Sequence, residues 1–187
     1  MKSNKKTIIF QMKTKLLFLI LLLSVFSWGQ VQLSEGTPSQ TIDFSATVSG
    51  VSNGAFTGTG FQATPTAGQL DSDAWASTGM SDGPLAFGGA RTTGDYARGA
   101  VNAAQSTGGF YTYTGAPQSA ANPCLMIQPA GSDFAPGTLT LRIQNNGTAF
   151  INQMVVSYDL FVRNDQARAS SFNFSYSSDN TTYTPVA

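Results

Sequence analysis

The sequence predicts an all-β fold: an antiparallel two-sheet β-sandwich, jelly-roll-like, incomplete at its C-terminus. Three observations predict it. Apolar residues recur with period two in one stretch after another, as in strands with one buried and one wet face. Residues 30–187 hold 17 Ser, 19 Thr and 18 Gly, and no helical apolar stripe runs over ten residues. Turn formers punctuate the stretches, among them Ser52-Asn53-Gly54, Ser81-Asp82-Gly83-Pro84, Gly131-Ser132-Asp133, Asn145-Asn146-Gly147 and Ser178-Asp179-Asn180. Many short strands in one mid-sized domain, with no helices to cover a parallel sheet, argue for two packed antiparallel sheets.

The chain opens with Lys2, Lys5, Lys6, Lys13 and Lys15, then an apolar run at residues 16–26, LLFLILLLSVF. That run is shorter than the roughly 20 residues that span a bilayer and matches the apolar region of an export signal. Ser27 and Gly29 supply the small residues of a cleavage site, so residues 1–29 read as a signal peptide cut between Gly29 and Gln30. Met12 is an alternative start. A leader segment, 30–40, then precedes the sandwich domain at 41–187. The destination is secreted, extracellular or on the cell surface, with no membrane association after cleavage.

The first strand falls at residues 41–48, where Ile42, Phe44, Ala46 and Val48 share a face. Leu139, Leu141 and Ile143 alternate with Thr140 and Arg142. In the longest run Met154, Val156, Tyr158, Leu160 and Val162 face one way, and Val155, Ser157, Asp159, Phe161 and Arg163 the other. Phe172, Phe174 and Tyr176 follow. Weaker candidates lie at 55–61, 84–87, 109–114, 124–128 and 182–186. The one helical rival is 95–106, where Ala97, Ala100, Val101 and Ala104 have helical spacing but Gly99 interrupts. The chain stops just after an apparent hairpin turn, which leads us to expect the N-terminal part of a longer protein, since an uncovered edge strand invites edge-to-edge pairing.

Composition excludes several functions. Formal charge is zero over the whole chain, but every lysine lies in the first 15 residues. The remainder carries five arginines against ten acids, 5 − 10 = −5. It has no basic stripe for a phosphate backbone, so nucleic-acid binding is not expected. With no histidine, neither Ser-His-Asp nor Cys-His catalysis is available, nor any imidazole metal site. The single Cys124 excludes an internal disulfide and has no base near it in sequence, so a buried inert thiol is expected.

Asp71 and Asp73 are the one closely spaced acidic pair. On a strand, i and i+2 point the same way about 6.5–7 Å apart, so both can reach one structural Ca2+ if carbonyls or acids such as Asp82 or Asp95 supply further oxygens. The simpler reading is a solvated turn leading into a core Trp75. A glycosidase pair is disfavoured, because neighbours on one strand cannot flank a sugar from opposite sides. Gly58-Thr-Gly60-Phe-Gln-Ala63 matches a dinucleotide fingerprint by chance, since Pro65 follows and no helix opens there. Tyr111 and Tyr113 share a strand face and are candidates for stacking a surface glycan, packing being the simpler role. Asp159, Arg163, Asp165 and Arg168 form the densest charge cluster and read as surface ion pairs.

Residues 68–75, 85–89 and above all 139–186 resemble the N-terminal sandwich module of large secreted bacterial proteins that often end in a type IX secretion sorting domain. Similar modules precede lamin-tail-like and extracellular endonuclease/phosphatase domains. The resemblance carries no catalytic motif. It implies an exported, non-catalytic accessory or adhesion module whose partner is a surface glycan or another extracellular protein. The alternatives are the leading piece of a secreted hydrolase, such as a nuclease without its catalytic domain, and a carbohydrate-binding module.

Overall fold

The computed structural model describes residues 30–163, 167 and 169–186. The expected signal peptide, with Gly29 of its cleavage site, lies outside them, as do Asp165 and Arg168. The described chain is all-β apart from one 3-10 turn at Gly94–Tyr96, and it divides into two units, 30–153 and 154–186.

The first unit contains β1 (Val31–Leu33), β2 (Ser52–Asn53), β3 (Phe61–Gln62), β4 (Gln69–Asp71), β5 (Trp75–Thr78), β6 (Ala100–Val101), β7 (Gly109–Tyr113), β8 (Cys124–Gln128), β9 (Thr138–Leu141) and β10 (Ile143–Asn145). They form small sheets, ordered β1-β10, β2-β4-β3, β5-β9 and β6-β7-β8. The longest ladders are antiparallel: β7 with β8, pairing Tyr111 with Met126, and β5 with β9, pairing Trp75 with Leu141. Pairing is not uniformly antiparallel as expected, because β1-β10, β3-β4 and β6-β7 run parallel. In two of these, β3-β4 and β6-β7, one partner is a strand of only two residues. The supposed leader, 30–40, is therefore woven into the unit through β1.

The core is aromatic. Phe61 sits at its centre, fully buried, edge-on to Tyr96 at 5.9 Å and to Phe110 at 5.2 Å. Tyr96 stacks on Phe110 at 5.5 Å, and Phe44 links Phe56 to Trp75. Such pairs add about 0.5–1.5 kcal/mol each beyond the area they bury. Glycines let backbones meet around this core. A Cβ at Gly60, whose φ is +99°, would stand 2.3 Å from the Arg91 carbonyl oxygen, the strand neighbour of Phe61.

Several expected strands are not strands. Residues 41–48 form turns, because the Asp43 carboxylate accepts the Ser45 N–H at 2.8 Å and bends the chain. Ile42 and Phe44 still pack on the core, without a ladder. Only Phe61 of the 55–61 stretch joins a strand, and at 84–87 there is a single bridge, Ser77 to Leu85. The 139–143 stretch is real but broken at Arg142, where the chain leaves β5 and joins β1: the Arg142 N–H donates to Ala74 and its carbonyl accepts from Val31. Residues 95–106 hold the end of the 3-10 turn and then β6 instead of a helix.

In the second unit β11 (Ser175–Tyr176) pairs antiparallel with β12 (Thr184–Pro185). The hairpin turn is closed by Asp179, whose carboxylate accepts the Thr181 and Thr182 N–H groups, each at 2.8 Å. Tyr158 stacks on Phe174 and meets Phe172 edge-on. The strongest alternating run in the sequence, 154–162, belongs to no ladder among the described residues. Its apolar side chains are exposed on both faces, Val155 at 84% and Val162 at 79%.

Candidate functional site

Carboxylates organise the loops of the first unit. The largest assembly joins the turn at 80–83, the 3-10 turn and the approach to β9. Gly94, with φ +61°, places Asp95 inward, where it is 3% exposed. Asp95 accepts the Ser81 hydroxyl at 2.7 Å and the Asp82 N–H at 2.9 Å, and pairs with the Arg98 guanidinium at 2.6 Å. Asp82 returns the favour by accepting the Asp95 N–H at 2.8 Å, and Asp133 accepts the Ser81 N–H at 2.8 Å. The close fit fixes Gly94, since a Cβ there would fall 1.8 Å from an Asp82 oxygen. Burial works against the ionised form of Asp95, but the Ser81 hydroxyl, the Asp82 N–H and Arg98 outweigh it and hold its carboxyl below the usual aspartate value.

A second clasp ties the N-terminal segment to the loop after β10. Glu35 Oε1 accepts the Thr148 N–H at 2.8 Å, the Thr148 hydroxyl at 3.0 Å and the Ala149 N–H at 2.9 Å. With its own N–H and these donors around it, the Glu35 carboxyl is pulled down to about 2.

Asp71 ends β4 and is buried, with Oδ1 accepting the Asp73 N–H at 2.8 Å. Burial, reinforced by the charge of Asp73, pushes its carboxyl up to about 6 against the pull of that N–H and of Arg142. The two acids do not share a strand face as expected, because β4 ends at Asp71 and Asp73 lies in the turn that follows; Asp71 is buried and committed to the Asp73 N–H, and Arg142 already supplies positive charge. Among the described residues no group of three or more acids or cysteines is placed to hold a metal ion.

Tyr111 and Tyr113 need correction as a stacking platform. They are 4% and 9% exposed, because β7 is the central strand of its sheet and is buried on both faces. The Tyr111 hydroxyl donates to the Thr107 carbonyl at 2.9 Å, and burial raises its pKa. No ring face is left for a sugar. Cys124 opens β8, half-buried, and burial pushes its thiol up, away from the thiolate a nucleophile needs.

An open cleft of about 200 Å³ lies beside β1, walled by Gln30, Gln32, Gln40, Ser34, Thr37 and Asn146 among others. Its polar groups are neutral amides and hydroxyls. Gln30, the residue expected to follow cleavage, bonds Gln144 through its side chain and passes over Gly50, whose φ is +71°. No family model matches the chain, and no curated protein or solved structure matches it.

Sequence reasoning named Asp82 and Asp95 only as spare calcium ligands and missed Asp133 and Arg98. The Asp95–Arg98 spacing of three after a turn-forming Gly94 was the available signal. For Glu35 and Thr148, 113 positions apart, there was none.

Proposed function

We infer that this chain is an exported, non-catalytic β-sandwich module, an accessory or adhesion domain that attaches to an extracellular surface. The observation that carries the reading is the use to which its carboxylates are put. Glu35, Asp43, Asp71, Asp95, Asp133 and Asp179 each hold a turn or join two loops through backbone N–H groups or hydroxyls. Acids spent in this way build a scaffold; acid–base catalysis needs them aimed at a cleft. The small sheets gathered on one aromatic core support a sandwich, and the N-terminal signal and the resemblance of residues 139–186 to secreted modules support export.

A second reading, carbohydrate binding, moves from the buried tyrosines to the neutral cleft beside β1. Amides such as Gln30, Gln32, Gln40 and Asn146 are the donor–acceptor pairs that recognise uncharged hydroxyl-rich ligands.

The test uses the chain from Gln30 onward, fluorescently labelled and added to intact cells of the exporting host. Saturable binding, competed by unlabelled chain and absent with an unrelated acidic protein, is the expected result. Lack of saturable binding would remove the adhesion reading. Turnover of DNA, phosphodiester or glycoside substrates by the pure chain would replace it with the hydrolase alternative. Competition by a soluble polysaccharide would favour the cleft.

A further inference from the structure

The sequence contains three Asx-Gly dipeptides: Asn53-Gly54, Asp82-Gly83 and Asn146-Gly147. Such pairs can rearrange without an enzyme. The glycine nitrogen attacks the side-chain carbonyl carbon of the preceding residue, its proton leaves with the displaced group, and a five-membered imide closes. From Asn, the Cγ–Nδ2 bond breaks and ammonia departs; water then opens the imide at either carbonyl to give Asp or β-linked isoAsp. Glycine permits this because no Cβ blocks the attack. What the folded chain controls is whether the side chain and the glycine nitrogen can meet.

At the first two sites both groups are engaged by other partners. The Asn53 amide donates to the Pro65 carbonyl at 2.8 Å, Gly54 gives its N–H to the Thr47 hydroxyl at 2.8 Å, and Asn53 lies in β2 against Gln69. The Asp82 carboxylate accepts the Asp95 N–H, while the Gly83 N–H is bound to Met80 and its carbonyl to the Tyr96 hydroxyl. Asp82 would also have to expel water instead of ammonia.

Asn146 differs. It is exposed, and its side-chain amide has no hydrogen-bond partner among the described residues. The Gly147 N–H is retained only by the exposed Asn145 side chain, at 3.0 Å. Its main chain is anchored on either side, by the Asn146 N–H on Leu33 at 2.7 Å and by Glu35 on Thr148 and Ala149, so the side chain turns freely over a fixed backbone.

We propose that Asn146 is a modification site, converting spontaneously to Asp and isoAsp through an imide with the Gly147 nitrogen while the Asn53-Gly54 pair is protected by the fold. The product adds a negative charge at the residue before Gly147, whose own Cβ, if it had one, would stand within about 3 Å of the Glu35 carboxylate. The isoAsp form inserts a methylene into the main chain at the end of the β1-β10 pairing and displaces the bond to Leu33. A neutral wall of the cleft becomes charged.

The experiment is to hold the chain from Gln30 onward in mildly alkaline buffer at physiological temperature, natively and in concentrated urea. Peptides spanning each site are then quantified over time by mass spectrometry, with an isoAsp-specific digest. Two hydrogen bonds must open at Asn53-Gly54 against one at Asn146-Gly147, which predicts native conversion about fivefold faster at Asn146, and rates that converge in urea. Asn146→Gln, at an exposed position, abolishes the acidic product in native buffer. Equal native rates at the two sites, faster conversion at Asn53, or conversion of neither in native buffer would overturn the proposal.

Discussion

Replacing Asp95 tests whether the carboxylate network holds the fold together. Asp95→Ala leaves the Ser81 hydroxyl and the Asp82 N–H without their acceptor and Arg98 without its partner. Removing one member of a buried ion pair costs about 3–5 kcal/mol. Here the Arg98 side chain is 29% exposed and regains water, as does Ser81, so the low end applies, about 3 kcal/mol. Asp95→Asn keeps shape and one acceptor but loses the charge, and about 1–2 kcal/mol is expected. Trp75 is the one tryptophan of residues 30–187 and lies in the core, so in a chain from Gln30 onward its fluorescence follows unfolding in urea. With an m-value of about 2 kcal/mol/M, Asp95→Ala lowers the midpoint by about 1.5 M. In a thermal melt the shift is about 6–12 °C. Arg98→Met alone, and with Asp95→Ala, closes a double-mutant cycle whose coupling energy isolates the pair. An Asp95→Ala chain within about 0.5 kcal/mol of the parent would refute the reasoning, because surface substitutions change stability by that little.

Other expectations are equally open to measurement. Asp71 has its carboxyl raised from 3.8 to about 6 by burial, so folding favours its protonated form. That contribution is present below the unfolded value and is lost as pH rises through about 6, up to about 3 kcal/mol. The urea midpoint of the parent should carry a falling contribution between about pH 4 and 6, where unfolded Asp71 is ionised and folded Asp71 is not, and Asp71→Asn should remove it; an unchanged slope contradicts the assignment. Glu35 has the opposite sign: its depressed pKa of about 2 gives stability above the unfolded carboxylate range that is lost as pH falls toward 2. Glu35→Gln should accelerate hydrogen exchange at Thr148 and Ala149 and leave β7 unchanged. Phe61→Ala, at the centre of the aromatic core, should cost about 3–5 kcal/mol. Val155→Asp with Phe161→Asp, on the exposed run, should suppress concentration-dependent association in light scattering, the behaviour expected of an unpaired apolar strand.

Much of the strand content was legible, and the reasons for the misses are physical. The stretches at 109–114 and 124–128 read as strands and form β7 and β8: aromatic and threonine residues favour the first, and the second is a short apolar run between turn formers that pairs with it. Their environment was misread. Alternation implied a wet face on β7, yet Thr112 is buried with its hydroxyl donating to the Phe56 carbonyl at 2.9 Å, and Tyr111 and Tyr113 are packed in with it. A central strand of three can carry polar residues if each finds a partner, and no local pattern reports that. At 41–48 one carboxylate, Asp43, bends a perfect alternating run by offering its backbone a nearer acceptor. At 154–162 alternation predicts a strand, but a ladder needs a neighbouring strand that no local pattern supplies, and none pairs with this run among the described residues. The clasps were the least legible part of the candidate site. Asp95 and Arg98 are close in sequence and detectable in principle, whereas Glu35 meets Thr148 only because β1 and β10 lie side by side.

The central claim is that the carboxylates of this chain are structural. Carbon-detected NMR titration of every Asp and Glu side chain, on the chain from Gln30 onward, tests it most directly. The predicted result is Glu35 near 2, Asp95 below the usual aspartate value and Asp71 near 6, with the Asp71 transition accompanied by a change in stability and not by any hydrolytic activity. An Asp95 that titrates near neutrality, together with turnover of a phosphodiester or glycoside that follows the same curve, would contradict it.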